Sequence, residues 1–305
     1  VTGAREPAPL EVVEYTDPLC PWAWGSEPVF RRLRAALDGR VHWRRVHAVL
    51  FDHDDDPAPD PAAETAWYAR YVAGIAEQTR APRAVPLSRV AASSWPASQV
   101  AKAAERQGTS VADRVLRRLR ETVFVLGEPA DTLASALDAA RGVPGLDPAR
   151  LAADAVHGSV VDAVRADRAE ARAPLPEAFA PPGGSPHPGA AKETPDGAHR
   201  YALPTVVVRG ADGHRVVPGW RPYEEYAAAV EALRPGLPRT PVPLGPDEAL
   251  ARHRSLTGPE SAVLVRGAWP PLHAVRVETE GGPLWLHPDE AATHPALRPR
   301  VSPTG

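Results

Sequence analysis

Asp17-Pro18-Leu19-Cys20-Pro21-Trp22-Ala23-Trp24-Gly25 lies between two segments of different periodicity, and its reading decides the fold. Upstream, residues 10–16 (LEVVEYT) combine β-branched and aromatic residues and stop at Asp17-Pro18, the mark of a strand entering a turn. Downstream, Val29, Phe30, Leu33 and Leu37 recur at helical spacing within residues 26–37, with Gly39 just past the end. Residues 41–50 read as a second strand, and strand, helix, strand opens an α/β unit. Cys20, the single cysteine, then falls at a helix N-terminus. Unpaired N–H groups and the positive dipole end favour a thiolate there, which predicts a depressed pKa and a reactive thiol. The alternative is a buried structural cysteine, because free Cys is among the most buried residue types.

From about residue 60 to 172 the period becomes helical. Pro96 suits the first turn of a helix ending near Gly108, and Ser110 suits the cap of the next, on which Val111, Val115, Leu119 and Val123 recur every four residues. Asp131 opens another helix, Asp147-Pro148 supplies a cap plus a first-turn proline, and Ser159 caps the last. Residues 174–199 carry Pro174, Pro176, Pro181, Pro182, Pro186, Pro188 and Pro195 without apolar period, which reads as a mobile loop. Strand character returns at 205–209 and 215–217 around a Gly210-to-Gly213 turn, an antiparallel hairpin, and a helix over 222–233 presents Tyr226, Val230 and Leu233. Beyond the proline-rich residues 235–246, the tail reads as a short helix (247–256) and strand-like runs at 262–266, 275–279 and 284–287. Residues 240–305 are thus expected to form a separate small α+β module.

Composition narrows the classes. The 35 Lys+Arg against 38 Asp+Glu exclude nucleic-acid binding driven by bulk charge. No apolar run is long enough to span a bilayer, no basic-then-apolar leader opens the chain, and one cysteine permits no internal disulfide, so the expectation is a cytoplasmic protein without a membrane partner. Only Lys102 and Lys192 are lysine among the cations, a pattern of high-GC bacterial coding sequence. There is no phosphate-binding glycine loop and no His-Glu-x-x-His motif. Asp52-His53-Asp54-Asp55-Asp56 reads as a solvated loop more readily than as a cation site, and no metal is expected. Arg114, Arg117, Arg118 and Arg120, with Glu121, read as a solvated helix face.

About 180 residues after Cys20, Pro204 enters a strand in Tyr201-Ala202-Leu203-Pro204-Thr205. A proline there sits at a strand start or edge, because it has no N–H for the ladder. Together with the segment 12–50, Ser93-Ser94-Trp95-Pro96-Ala97, Lys102-Ala103-Ala104 and Gly219-Trp220-Arg221-Pro222-Tyr223, this pattern resembles the DsbA family, within it the cytoplasmic FrnE-like branch. The resemblance covers roughly residues 10–234 and implies an α/β, thioredoxin-like fold with a large helical insertion at about 60–172. It also makes the Pro-rich loop 174–199 an insertion that covers or restricts the groove. It implies Cys20 as nucleophile, a cis-Pro204 loop abutting it, and substrate contacts from Pro21, Trp22, Ala23, Trp24 and Leu203. For Trp22 and Trp24, an apolar wall for a ligand and ordinary core packing stay equally open.

The departure is Ala23, where family members that exchange disulfides carry the second cysteine of Cys-x-x-Cys. Without a resolving thiol the two-cysteine cycle cannot run. The expectation is therefore a single-thiol oxidoreductase acting on a protein or small-molecule thiol or disulfide. It would need no cofactor beyond a low-molecular-weight thiol such as mycothiol or glutathione. A redox-inactive adaptor keeping the peptide groove is the alternative, and a kappa-type glutathione transferase the third.

Overall fold

The computed structural model describes residues 10–52, 59–84 and 87–298. Strand β1 (Leu10–Thr16) leads into the short helix α1 (Pro21–Gly25), helix α2 (Glu27–Ala36) and strand β2 (Val41–His47). Helices α3 (Pro61–Thr79), α4 (Trp95–Glu105), α5 (Thr109–Phe124), α6 (Leu133–Ala139), α7 (Pro148–Ala155) and α8 (Gly158–Ala171) follow. Next come the short strands β3 (Lys192–Glu193) and β4 (His199–Arg200), the hairpin β5 (Thr205–Gly210) and β6 (Gly213–Pro218), and helix α9 (Tyr223–Leu233). The tail contains α10 (Pro246–His253), β7 (Ser255–Thr257), α11 (Gly258–Leu264), β8 (Val275–Val277), β9 (Leu284–Leu286) and α12 (Pro288–Ala291). The chain divides into two compact units, one built on residues up to 48 with 165–242, the other on 49–164 with the residues from 243 on.

The first unit is organised by a sheet of order β2-β1-β5-β6. β1 runs parallel to β2, as a helical crossover requires, and antiparallel to β5, while β5 and β6 form the expected hairpin with Gly210 opposite Gly213. Side-chain alternation sends Val12, Val206 and Val208 to one face, where they form one core with Phe30 and Leu33 of α2 and Tyr226 and Val230 of α9. Phe30 meets Tyr226 edge-on at 5.3 Å between ring centroids. Tyr15 on β1 stacks at a tilt on Tyr201 at 4.1 Å, and its hydroxyl donates to Glu170 at the C-terminal end of α8.

The second unit corrects two expectations. Residues from 243 on share a compact unit with the helices of 49–164 rather than standing apart. The tail forms the sheet β7-β9-β8, and residues 262–264 lie in α11 rather than in a strand, because Thr257 and Glu260 close a capping box that starts a helix. Nor is α5 a solvated basic face: Arg117, Arg118 and Arg120 are buried, the first two paired with acids of the tail. Arg117 donates bidentately to Glu260 at 2.8 and 3.0 Å and to Glu121 at 2.6 Å. Arg118 pairs with Glu290, and buried His294 meets Glu121 at 3.0 Å. Burial works against charge on Glu121, yet Arg117, His294 and Ser255 hold its pKa well below the usual carboxylate range. Arg114 alone keeps partial exposure, donating to the Pro144 carbonyl.

Smaller corrections concern caps. Gly108, at φ 108°, precedes α5 in place of Ser110; Thr132 caps α6 through Ser135, while Asp131 accepts from Ala92 N–H. Ser159 lies inside α8, its N–H directed to His157 Nδ1. Of the acidic run at 52–56, Asp52 is buried and accepts from Trp95 Nε1 at 3.0 Å; residues 53–56 lie outside the described residues. Among the described residues no group of three or more His, Cys, Asp or Glu side chains could hold a metal ion, and no helix is long and apolar enough to cross a membrane.

Arg117→Met removes the guanidinium that pairs with buried Glu121 and Glu260, and removal of one partner from a buried ion pair costs about 3–5 kcal/mol. Urea unfolding is expected to show that loss, accompanied by faster proteolysis within residues 243–298.

Candidate functional site around Cys20

The turn before α1 is built by Asp17. Its Oδ1 accepts from Leu19 N–H at 2.7 Å and its carbonyl from Cys20 N–H at 3.3 Å, the local bonding that makes Asp a turn former. Cys20 is the N-cap residue of α1, in extended conformation, and Pro21 takes the first helical position, where its missing N–H costs nothing. The helix lasts little more than a turn and ends as Ser26 N–H and Oγ both bond the Trp22 carbonyl. Ala23 lies one turn along from Cys20 and is fully buried; Trp22 and Trp24 are buried too.

From β5 comes the second wall. The Leu203–Pro204 peptide bond is cis. Thr205 Oγ1 ties the turn to the Ala202 carbonyl at 2.6 Å, and the Pro204 carbonyl accepts from Gly219 N–H at 2.8 Å. Cys20 Sγ stands 3.8 Å from the Leu203 carbonyl, so residues 183 positions apart in sequence meet here.

A third wall comes from the Pro-rich segment itself, the one expected to cover or restrict the groove. Residues 174–199 are not a featureless loop: a 3-10 turn at Pro176–Ala178 and the β3–β4 pair give them structure. Their lack of apolar period misleads because polar groups fasten them. Ser185 Oγ donates to the Trp220 carbonyl and accepts from His187 N–H, and Gly189 N–H donates to His187 Nδ1 at 2.9 Å. Arg221, 1 % exposed, donates from Nε to the Pro218 carbonyl at 3.0 Å and from a terminal nitrogen to the Gly183 carbonyl at 3.2 Å. His187 packs edge-on against Trp22 at 4.9 Å, and Trp220 closes the same aromatic group at 6.2 Å from Trp22. Trp22 packs against this chain's own segment, and Pro21 and Trp24 are buried.

His187, Gly189, Gly219 and Arg221 thus join the site without having been singled out for it. The one local signal was a histidine flanked by Pro186 and Pro188 in a stretch otherwise poor in ring side chains. Both glycines are required. At Gly189 (φ 71°) a Cβ would lie 2.8 Å from the Pro218 carbonyl, and at Gly219 (φ 81°) 2.5 Å from His187 Nδ1.

Electrostatically the site departs from expectation. Burial pushes the Cys20 thiol up to about 11; backbone N–H groups of Ala23 and Trp22 oppose that, Asp17 adds to it, and Arg200 lowers it. The predicted depression by the helix end is real in sign but smaller than the desolvation of a thiol only 3 % exposed. Burial also drives His187 down to about 4, with Lys192, Arg221 and Arg200 contributing and the Leu203 carbonyl opposing. The ring is neutral at pH 7. Nδ1 accepts from Gly189, so the proton sits on Nε2.

Comparison with known proteins follows this geometry. The thioredoxin family model matches residues 14–173, and the chain belongs to that family. A curated relative, the ClpXP adapter protein SpxH of Shouchella clausii, is 31% identical over 173 residues, covering 52% of this chain and 52% of that protein. The chain thus spans about half the length of the curated relative it matches. Among solved structures, a candidate protein disulfide isomerase from Nitrosomonas europaea superimposes with TM-score 0.57 at 14% identity, over 73% of this chain and 97% of that one. The cytosolic disulfide reductase DsbM from Pseudomonas aeruginosa gives TM-score 0.48 at 17% identity, over 74% and 93%. At these identities the likeness establishes the thioredoxin-like fold.

Two opposite pH slopes are expected in stability. The folded chain holds the Cys20 proton above the pH where an unfolded thiol ionises, so stability is complete below about 8.5 and declines as pH rises toward about 11. The folded chain resists protonating His187, so stability declines as pH falls from about 6.5 toward about 4. Each slope approaches about 1.4 kcal/mol per pH unit. Urea titrations should show the alkaline slope reduced in Cys20→Ser and the acid slope reduced in His187→Asn.

Proposed function

We propose that this protein is a polypeptide-binding member of the thioredoxin family, descended from a DsbA-type, FrnE-like cytoplasmic oxidoreductase, in which the groove is kept and the dithiol cycle is lost. One observation carries the reading: Cys20 is only 3 % exposed, with Ala23 where a resolving thiol would stand. With a pKa near 11, only about one thiol in ten thousand is ionised at pH 7, against a few per cent for free cysteine. The backbone beside Cys20, at Leu203 and cis-Pro204, is left as the recognition element. An extended partner segment would add to it by main-chain hydrogen bonding, as strands add to exposed edges. The adapter role printed for the SpxH relative supports this reading, with a protease as the recipient of the bound polypeptide.

A second reading, exchange through one thiol, is favoured by the place of Cys20 at the N-terminus of α1, where the Trp22 and Ala23 amides lower its pKa. There the Cys20 thiolate would attack a disulfide, expel one thiolate and remain in a mixed disulfide until an external thiol attacked it.

Cys20→Ser separates the two. Fluorescence anisotropy with a panel of labelled extended peptides is expected to give the same affinities for wild type and variant, whereas capture as a mixed disulfide that vanishes with Cys20 would establish the exchange reading. Ala23→Cys restores two cysteines one helical turn apart, near the spacing a disulfide spans. It is expected to oxidise internally and to gain insulin-reducing activity that wild type lacks, read by intact mass and turbidity.

A further inference from the structure

The segment that fastens against Trp22, two residues from Cys20, has a physical role of its own. His187 is 4 % exposed and its ring packs edge-on against Trp22, a residue expected to meet a bound polypeptide. Everything around it serves to seat that ring. Ser185 anchors the segment to Trp220, Arg221 reaches from buried surroundings to the Gly183 carbonyl, and Gly189 and Gly219 lack the Cβ atoms that would collide with the Pro218 carbonyl and with His187 itself. The flanking prolines, Pro186 and Pro188, restrict the unfastened segment and lower the entropy lost when it docks. The fasteners are a few hydrogen bonds to backbone carbonyls and one aromatic edge contact, enough to hold a strap closed and few enough for a ligand to displace it.

We propose that residues 183–191 are an autoinhibitory strap, that His187 is its plug, and that the ligand releasing it is an extended polypeptide which pairs with the Leu203 backbone and displaces the His187 ring from Trp22. This rests on the polypeptide-binding reading above. The strap and the ligand compete for the face of Trp22, so the ligand's apparent affinity is its intrinsic affinity multiplied by the fraction of open chains. Release also uncovers Cys20, which makes the thiol a reporter of the open state.

The test is the second-order rate of iodoacetamide alkylation of Cys20, read by intact mass in the native state and scaled to the guanidinium-unfolded chain. Wild type is compared with Gly189→Ala, which cannot seat the strap, and His187→Ala, which removes the plug while sparing the backbone; circular dichroism and a cooperative thermal transition establish that each is folded. The expected result is at least a tenfold acceleration in both, and in His187→Ala alone if Gly189→Ala does not fold. Folded variants that alkylate at the wild-type rate, or a wild-type rate already equal to that of the unfolded chain, overturn the strap. No peptide enters this measurement, so it judges the strap apart from the binding reading. The peptide panel is then repeated on the opened variant. Tighter binding by at least tenfold supports both inferences, and no binding to an open, alkylatable site overturns polypeptide recognition while leaving the strap in place.

Discussion

The Leu203 carbonyl is the point on which the first unit's chemistry turns. It lies 3.8 Å from Cys20 Sγ, and the cis-Pro204 turn presents it. The sheet exists to bring it there: β1 delivers Cys20 through the Asp17 turn, β5 delivers Leu203, and their antiparallel pairing from Glu11 with Arg209 to Tyr15 with Thr205 fixes the approach. A slip of one residue would turn Val206 and Val208 out of the core, so hydrophobic burial enforces the register that places the two groups.

Magnitude, rather than kind, decides what that place can do. A helix N-terminus lowers a thiol pKa and desolvation raises it; here α1 lasts little more than one turn, its first residue is a proline with no N–H, and the thiol is covered. Desolvation wins. The same element order that supports a thiolate in an open site therefore supports a protonated sulfur in a buried one.

Much of this was legible in the sequence wherever local pattern and tertiary role coincide. The alternation around residues 10–16, the Phe30–Leu33–Leu37 face, the valines of α5 and the Gly210–Gly213 hairpin each report a period that the fold then uses. The fastening of residues 183–191 was not legible, because Ser185, Gly189 and Arg221 act through single hydrogen bonds to carbonyls that no periodicity marks. The buried arginines of α5 were hidden similarly. Their carboxylate partners Glu260 and Glu290 lie 143 and 172 residues away, and a charge run reads as solvated until those partners are known. The Cys20 pKa followed suit, since its direction depends on a burial that tertiary packing sets.

Amide hydrogen exchange of residues 183–191 tests the account most directly. The Gly189 N–H, bonded to His187 Nδ1, and the Gly219 N–H, bonded to the Pro204 carbonyl, should both be protected, with Gly189 slowed at least tenfold relative to an unstructured chain. Exchange of Gly189 at the unstructured rate, with β5 still protected, would contradict a closed site and return Cys20 to the solvent-exposed thiol that its helix position alone suggests.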